Sequence, residues 1–156
     1  MDIVKLPKMS FKEVENLITQ QNLCRIAFNE SNHPYLAPFR YVRLNDVFYF
    51  NFTNYGKKMR LRDRDNKACV QIESTKLDLS EYSFVSIRGA LEQVTSPEEY
   101  SKVVELFRES GKELSTKFLS AHGIDPSKGW DEFNAEKGLV IVKLVDIVEK
   151  VGLKSP

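Results

Sequence analysis

The sequence predicts a mainly β, α+β domain in which six antiparallel strands close into a small barrel flanked by helices. Three observations carry that prediction. Several runs between residues 23 and 94 alternate apolar and polar side chains with the period of two that a half-buried strand requires. The breaks between these runs are too short for crossover helices, so successive strands turn back on one another as antiparallel neighbours. Helical spacing is confined to the N-terminus, a short segment near residue 60 and the stretch after residue 96. With six strands and several apolar faces to cover, closure into a barrel is the natural way to remove sheet edges.

In chain order, Ser10-Phe11-Lys12-Glu13 is a capping box, and Phe11, Val14, Leu17 and Ile18 then follow helical spacing to about Gln21. Residues 23–29 alternate, with Cys24, Ile26 and Phe28 on one face. Turn residues from Glu30 to Pro34 precede a second strand, Tyr35 to about Leu44. Asn45-Asp46 is a hairpin-length break before a third, Val47 to Thr53, with Phe48, Phe50 and Phe52 on one face and Tyr49 and Asn51 on the other. Gly56 to Arg64 suits a short helix. A fourth strand covers Ala68 to Glu73, and a fifth Phe84 to Val94, interrupted by Gly89 as a bulge or close approach. Ser96-Pro97-Glu98-Glu99 starts a helix with Ser as N-cap, Pro at its first position and Glu at its third. Tyr100, Val103, Val104 and Phe107 form its apolar stripe. Leu114, Phe118 and Leu119 mark a further helical segment that Gly123 stops, and Leu139 to Val145 reads as a buried last strand.

A chain of 156 residues suits one domain, residues 1–156, with no repeat or linker to divide it. The net charge of +1 argues against a dedicated nucleic-acid binder, which carries a basic excess. No apolar run approaches the ~18 residues of a membrane span, and the N-terminus lacks the pattern of a signal peptide, so the expected location is the cytoplasm. Cys24 and Cys69 are too few for a disulfide framework and sit in strand-like runs, as buried thiols do. Two histidines and two dispersed cysteines make no metal cluster, and no nucleophile elbow, Walker loop or dinucleotide fingerprint is present. His33 and His122 fall at a turn and a helix end, where solvated or capping roles are usual.

The charge-rich stretch "FNFTNYGKKMRLRDRD", residues 50–65, is where chemistry concentrates. Asn51, Thr53 and Asn54 offer hydrogen-bonding groups at a strand end, Gly56 permits a close approach, and Lys57 and Lys58 follow where a helix begins. Helix N–H groups, the helix dipole and two ammonium groups would converge there on a single phosphate. The alternatives are a solvated basic turn and a nucleic-acid footprint, and spacing alone leaves them open. Upstream, Pro38-Phe39-Arg40-Tyr41 could border a planar ring or simply pack. Trp130 reads as an anchor or a stacking residue.

Taken together, "HPYLAPFRY", "VFYFNFT", "GKKM" and "ACVQIE" resemble the pyridoxamine 5′-phosphate oxidase-like, FMN-binding split-barrel superfamily, and within it the branch of nitroimidazole-resistance (Nim-type) proteins. "YSFVSIRGALEQVTSPEEYSKVVELF" and "GLVIVKLVDIVEKVGLK" extend the resemblance over nearly the whole chain. It implies a six-stranded antiparallel split barrel of Greek-key topology, a homodimer with flavin sites at its interface, and FMN as cofactor. It places Pro38, Phe39, Arg40 and Tyr41 along the isoalloxazine edge, Asn51, Phe52 and Thr53 at the ribityl chain and phosphate, and Gly56, Lys57 and Lys58 as the phosphate clamp. The implied function is an FMN-dependent oxidoreductase that exchanges a hydride at flavin N5 with a small-molecule substrate, with a non-catalytic flavin store or sensor as the alternative. The superfamily also holds F420 and haem binders. This sequence departs from the pattern in several places. Asn51 stands where the Nim-type branch commonly has histidine, Phe84 where relatives often have Gln or Ser, and Asn66-Lys67 where Asn-Pro is frequent. No counterpart is found of the C-terminal Trp and Arg of the true oxidase, which weighs against vitamin B6 oxidation.

Overall fold

The computed structural model describes residues 3–156. Its first helix, α1 (Phe11–Gln20), opens on the full capping box: Glu13 N donates to Ser10 Oγ at 3.2 Å and Ser10 N to Glu13 Oε2 at 2.8 Å. The stripe Val14, Leu17 and Ile18 is buried against the inside of the barrel. Strands β1 (Leu23–Phe28), β2 (Tyr35–Leu44) and β3 (Val47–Phe52) form a meander. Asn45 and Asp46 both have positive φ, 49° and 63°, the two-residue hairpin geometry whose twist matches the flanking strands. A short helix, α2 (Lys57–Arg64), leads to β4 (Lys67–Thr75) and β5 (Tyr82–Gln93), and α3 (Pro97–Gly111) starts with Ser96 Oγ accepting from Glu99 N. Between Thr116 and Lys137 the chain makes short 3₁₀ turns before β6 (Val140–Lys154).

All neighbouring strands are antiparallel, and the order β1-β2-β3-β6-β5-β4 closes on itself because β4 also pairs with β1. β6 fits between β3 and β5, which makes the connection a Greek key. The expected six-stranded antiparallel barrel is therefore the observed fold. β6 runs nine residues past Val145, where the continuous apolar run ends. The pairing with β5 shifts register between Arg88 and Ala90, and Asp146 lies opposite that shift with φ 49°. A bulge resets the alternation, so the residues beyond it no longer read in phase. Gly89 sits at this point, and a Cβ there would lie 2.6 Å from the Val145 carbonyl oxygen. Likewise the segment expected to be helical before Gly123 is a 3₁₀ turn, Thr116–His122, stopped by Gly123 at φ 71°.

Two apolar cores share the sheet. The barrel interior holds Ile26, Phe28, Phe39, Phe50, Phe52, Val70, Ile72, Val85 and Ile87, with α1 closing one end. Outside, Val42, Tyr49 and Ile141 meet Val103, Val104 and Phe107 of α3 and Leu119, Ile124, Trp130 and Phe133 of the 3₁₀ shell. Cys24 is buried and Cys69 half-buried, and both are free thiols. None of the helices among the described residues is long and apolar enough to cross a membrane.

Candidate functional site

The site is assembled where β3 ends and α2 begins. Phe52 is the last β3 residue and points into the barrel, stacked on Phe39 at 4.5 Å between ring centroids. Thr53 follows half-buried, its hydroxyl donating to Tyr55 O at 3.0 Å. Gly56 then caps α2 with φ 92° and ψ −173°, a conformation that an L side chain rarely adopts, and no side chain caps the helix. The N–H groups of the first turn thus lack a capping side chain, and the positive end of the dipole is exposed.

The two lysines at this end are not equivalent. Lys57 Nζ pairs with Glu30 Oε2 at 2.8 Å and stands 4.8 Å from the Tyr35 ring centroid. Lys58 has no carboxylate partner among the described residues. Its ammonium lies over the Phe39 ring, 4.7 Å from the centroid. Further along α2 the expected solvated basic face is only partly so, because Arg62 is held by Asp63 and Gln93 and is largely buried.

Asn51 is buried on the outer face of β3, beside α3 and the 3₁₀ shell. Its Nδ2 meets His122 Nδ1 at 3.1 Å, while its Oδ1 is buried without a hydrogen-bond partner. His122 is half-buried, and burial first, then the charges of Lys58 and Arg40, holds its pKa below the ordinary imidazole value. The solvated or capping role expected of His122 from its place at a helix end is not what the fold gives it, because a His at the end of a short turn carries no hint of a partner 71 residues away. A cleft of about 330 Å³ opens beside it, lined by Thr53, Asn54, Tyr55, His122, Gly138 and Val140.

The β2 residues diverge. Pro38 is exposed on the outer face of the barrel, and Phe39 is in the interior. Tyr41 also points inward and donates its hydroxyl to Ile18 O at 2.6 Å, tying β2 to α1. Arg40 points outward beneath α3, only 5% exposed, where Nη2 donates to Phe107 O at 3.0 Å and Ser110 Oγ at 2.6 Å. Its guanidinium lies 5.3 Å from the Phe107 ring centroid and 5.0 Å from that of Trp130. Desolvation pushes its pKa down to about 10. Trp130 is thus both anchor and stacking partner, with Nε1 donating to Leu114 O at 3.2 Å. The structure brings Thr53, Gly56, Lys57 and Lys58 together, with Asn51 and His122 adjoining, whereas the side chains of Arg40 and Tyr41 lead away in opposite directions.

The sequence model of the pyridoxamine 5′-phosphate oxidase family matches residues 10–123. The chain belongs to this family. The match runs from α1 through α3 and the first 3₁₀ turn, Thr116–His122, and includes the whole cradle at Gly56–Lys58. No curated protein matches the sequence. Among solved structures, an FAD-binding protein from Mesorhizobium loti shares the fold with a TM-score of 0.69 at 16% identity, over 98% of this chain and 100% of that one. A protein from Bacteroides thetaiotaomicron, assigned provisionally to 5-nitroimidazole antibiotic resistance, gives 0.69 at 16% identity over 96% and 87%. An FAD- and haem-binding protein from Mycobacterium smegmatis gives 0.60 at 15% identity over 94% and 71%. At these identities the likeness is one of fold.

Proposed function

We propose that this member of the pyridoxamine 5′-phosphate oxidase family is a flavin-binding oxidoreductase that takes FMN at the β3–α2 cradle and acts on a small molecule. The observation that carries the reading is the Gly56 cap: a positive-φ glycine leaves a helix N-terminus without a side-chain cap beside Lys58, an ammonium with no carboxylate partner among the described residues. That donor set matches a terminal phosphate monoester, an acceptor-only group with up to two negative charges. The buried Asn51 Oδ1, which has no partner, is an acceptor suited to a ribityl hydroxyl.

Lys58 pairs with the phosphate directly. Lys57 is shared with Glu30 and contributes less. Thr53 donates to the phosphate once its hydroxyl turns from Tyr55 O. Along β2, Pro38 and the backbone from Phe39 to Tyr41 border the ring, since the Phe39, Arg40 and Tyr41 side chains are engaged elsewhere. Phe52 supports the cradle from within by packing on Phe39. A flavin held there supplies hydride exchange at N5, and the chain's part is to bind, orient and shield it. No general acid or base is assigned.

The reading includes a homodimer in the cytoplasm. An apolar strip of Leu36, Ala27 and Cys69 crosses the outer face of β2, β1 and β4, and Arg88 of β5 separates it from Val148 of β6, with Leu36 58% and Val148 78% exposed. Covering it with a second copy removes it from water and brings two flavin sites to one interface.

A visible spectrum of the purified protein tests the cofactor first, because flavin, deazaflavin (F420) and haem absorb differently; a protein that takes up none of them refutes the reading. For bound flavin, reduction by a nicotinamide donor and reoxidation by an added acceptor separate an oxidoreductase from a flavin store or sensor. Lys58→Ala should weaken FMN binding roughly ten- to a hundredfold, as loss of a charge-assisted pair worth ~1.5–3 kcal/mol requires. Lys57→Ala should cost less. Fluorescence titration of both variants checks the placement, and unchanged affinity in Lys58→Ala moves the phosphate elsewhere.

A further inference from the structure

The cleft of about 330 Å³ beside the cradle has His122 in its wall, and the imidazole is held there from three sides. Asn51, only 6% exposed, brings its Nδ2 to Nδ1 at 3.1 Å, and the Phe118 and Phe133 ring centroids stand 5.0 and 6.3 Å from that of the imidazole. The amide nitrogen is a donor, so Nδ1 accepts and the ring proton sits on Nε2. Burial and the charges of Lys58 and Arg40 oppose a second proton, which keeps the ring neutral. Nε2 has no hydrogen-bond partner among the described residues and, unlike Asn51 Oδ1, is open to solvent. Its N–H is thus fixed in direction, with no protein acceptor to use it. Among the described residues no carboxylate lines the cleft, and the charged Lys137 in its wall is paired with Glu132 at 2.8 Å. Gly123 and Gly138 keep the wall low, since a Cβ at either would meet nothing within 4 Å.

We propose that this cleft receives the small-molecule substrate and that His122 Nε2–H is the donor that recognises it, so that the substrate presents a carbonyl-type oxygen and is neutral or anionic, not cationic. The assignment rests on the flavin reading, because a flavin at the adjoining cradle is what makes the occupant of this cleft a substrate. The donor decides the class. An N–H needs a lone pair, which an amide, ketone or carboxylate oxygen supplies and an ammonium group lacks. With no carboxylate in the wall, a cation finds no counter-charge either. Asn51 acts through His122, as a positioning residue that sets which nitrogen carries the proton and where the ring points. The volume lies within the ~300–1,000 Å³ typical of ligand pockets.

The chain has two histidines, so His33 serves as an internal control. NMR of the imidazole signals in the full chain loaded with FMN tests the proposal, with benzamide, benzoate, benzylamine and toluene as probes: one ring, four head groups. Benzamide or benzoate should shift the His122 signals to saturation and leave those of His33 in place, and benzylamine and toluene should not. His122→Leu should weaken the calorimetric affinity for the responding probe about two- to tenfold, as loss of one hydrogen bond requires, while the flavin stays bound. Ala121→Phe, a change at an exposed position that fills the cleft, should abolish the His122 shift even if His122→Leu does not fold. His122 signals that ignore both oxygen-bearing probes, benzylamine acting as strongly as benzamide and benzoate, or a shift that survives Ala121→Phe would each overturn the assignment. A chain that takes up no flavin overturns it too, by removing the reading on which it rests, and the visible spectrum shows that before any probe is added.

Discussion

At the scale of single residues, His122 shows how a side chain acquires a role that its sequence neighbours do not announce. It accommodates Asn51 as a neutral imidazole, and burial together with Lys58 and Arg40 opposes its protonation. A folded-state pKa below the unfolded one means that the unfolded chain binds more protons in the interval between them. The contribution is therefore fully present above about pH 6.5, the unfolded value, and is lost as pH falls towards the depressed folded value. Urea unfolding across mildly acidic pH should show wild type losing stability more steeply than His122→Gln, with the two slopes equal above about pH 7; parallel slopes throughout would remove His122 as their cause. Lys57 and Lys58 make a related point. The sequence presents them as twins, and only the fold reveals that Glu30, 27 residues upstream, engages one of them.

Among elements, those with strong local signals appear where the sequence puts them. The capping box at Ser10, the N-cap at Ser96, the Asn45-Asp46 hairpin and the alternation of β1 to β5 are local chemistry, so they are legible without tertiary knowledge. What could not be read depends on partners distant in sequence. β6 was cut short because its phase changes at a bulge that exists only once β5 lies beside it, and the 3₁₀ shell carries no strong period at all. In the candidate site, Gly56, Lys57 and Lys58 were legible as a motif. The outward burial of Arg40 and the inward course of Tyr41 were not, because strand alternation gives opposite faces but not what covers each. Gly89 is the pivot of the β5–β6 bulge. Gly89→Ala should destabilise the protein by about 1–3 kcal/mol, since the added methyl group meets a backbone oxygen that cannot turn away. Chemical denaturation measures it, and a neutral result would show that the bulge relaxes freely.

For the molecule as a whole, the strand order closes into a barrel, and its exposed apolar faces are surfaces for association. The Leu36–Cys69 strip is such a face. Light scattering should find a dimer for the wild type and a monomer for Leu36→Glu, which places a carboxylate at the β2 end of the strip; a dimer that survives this change uses another surface. β3 occupies the opposite extreme. Phe48, Phe50 and Phe52 face the barrel core, Tyr49 and Asn51 face the outer layer, and β2 and β6 bond it on both sides. Tyr49 and Phe50, which pair with β2 and β6 alike, should therefore keep their amide protons longest in hydrogen–deuterium exchange, long after those of the Thr116–Lys137 turns. The strand that leads into the cradle is then also the clock of the fold: the exchange time of Phe50 reports global stability, while the cradle a few residues further on opens and closes on its own schedule.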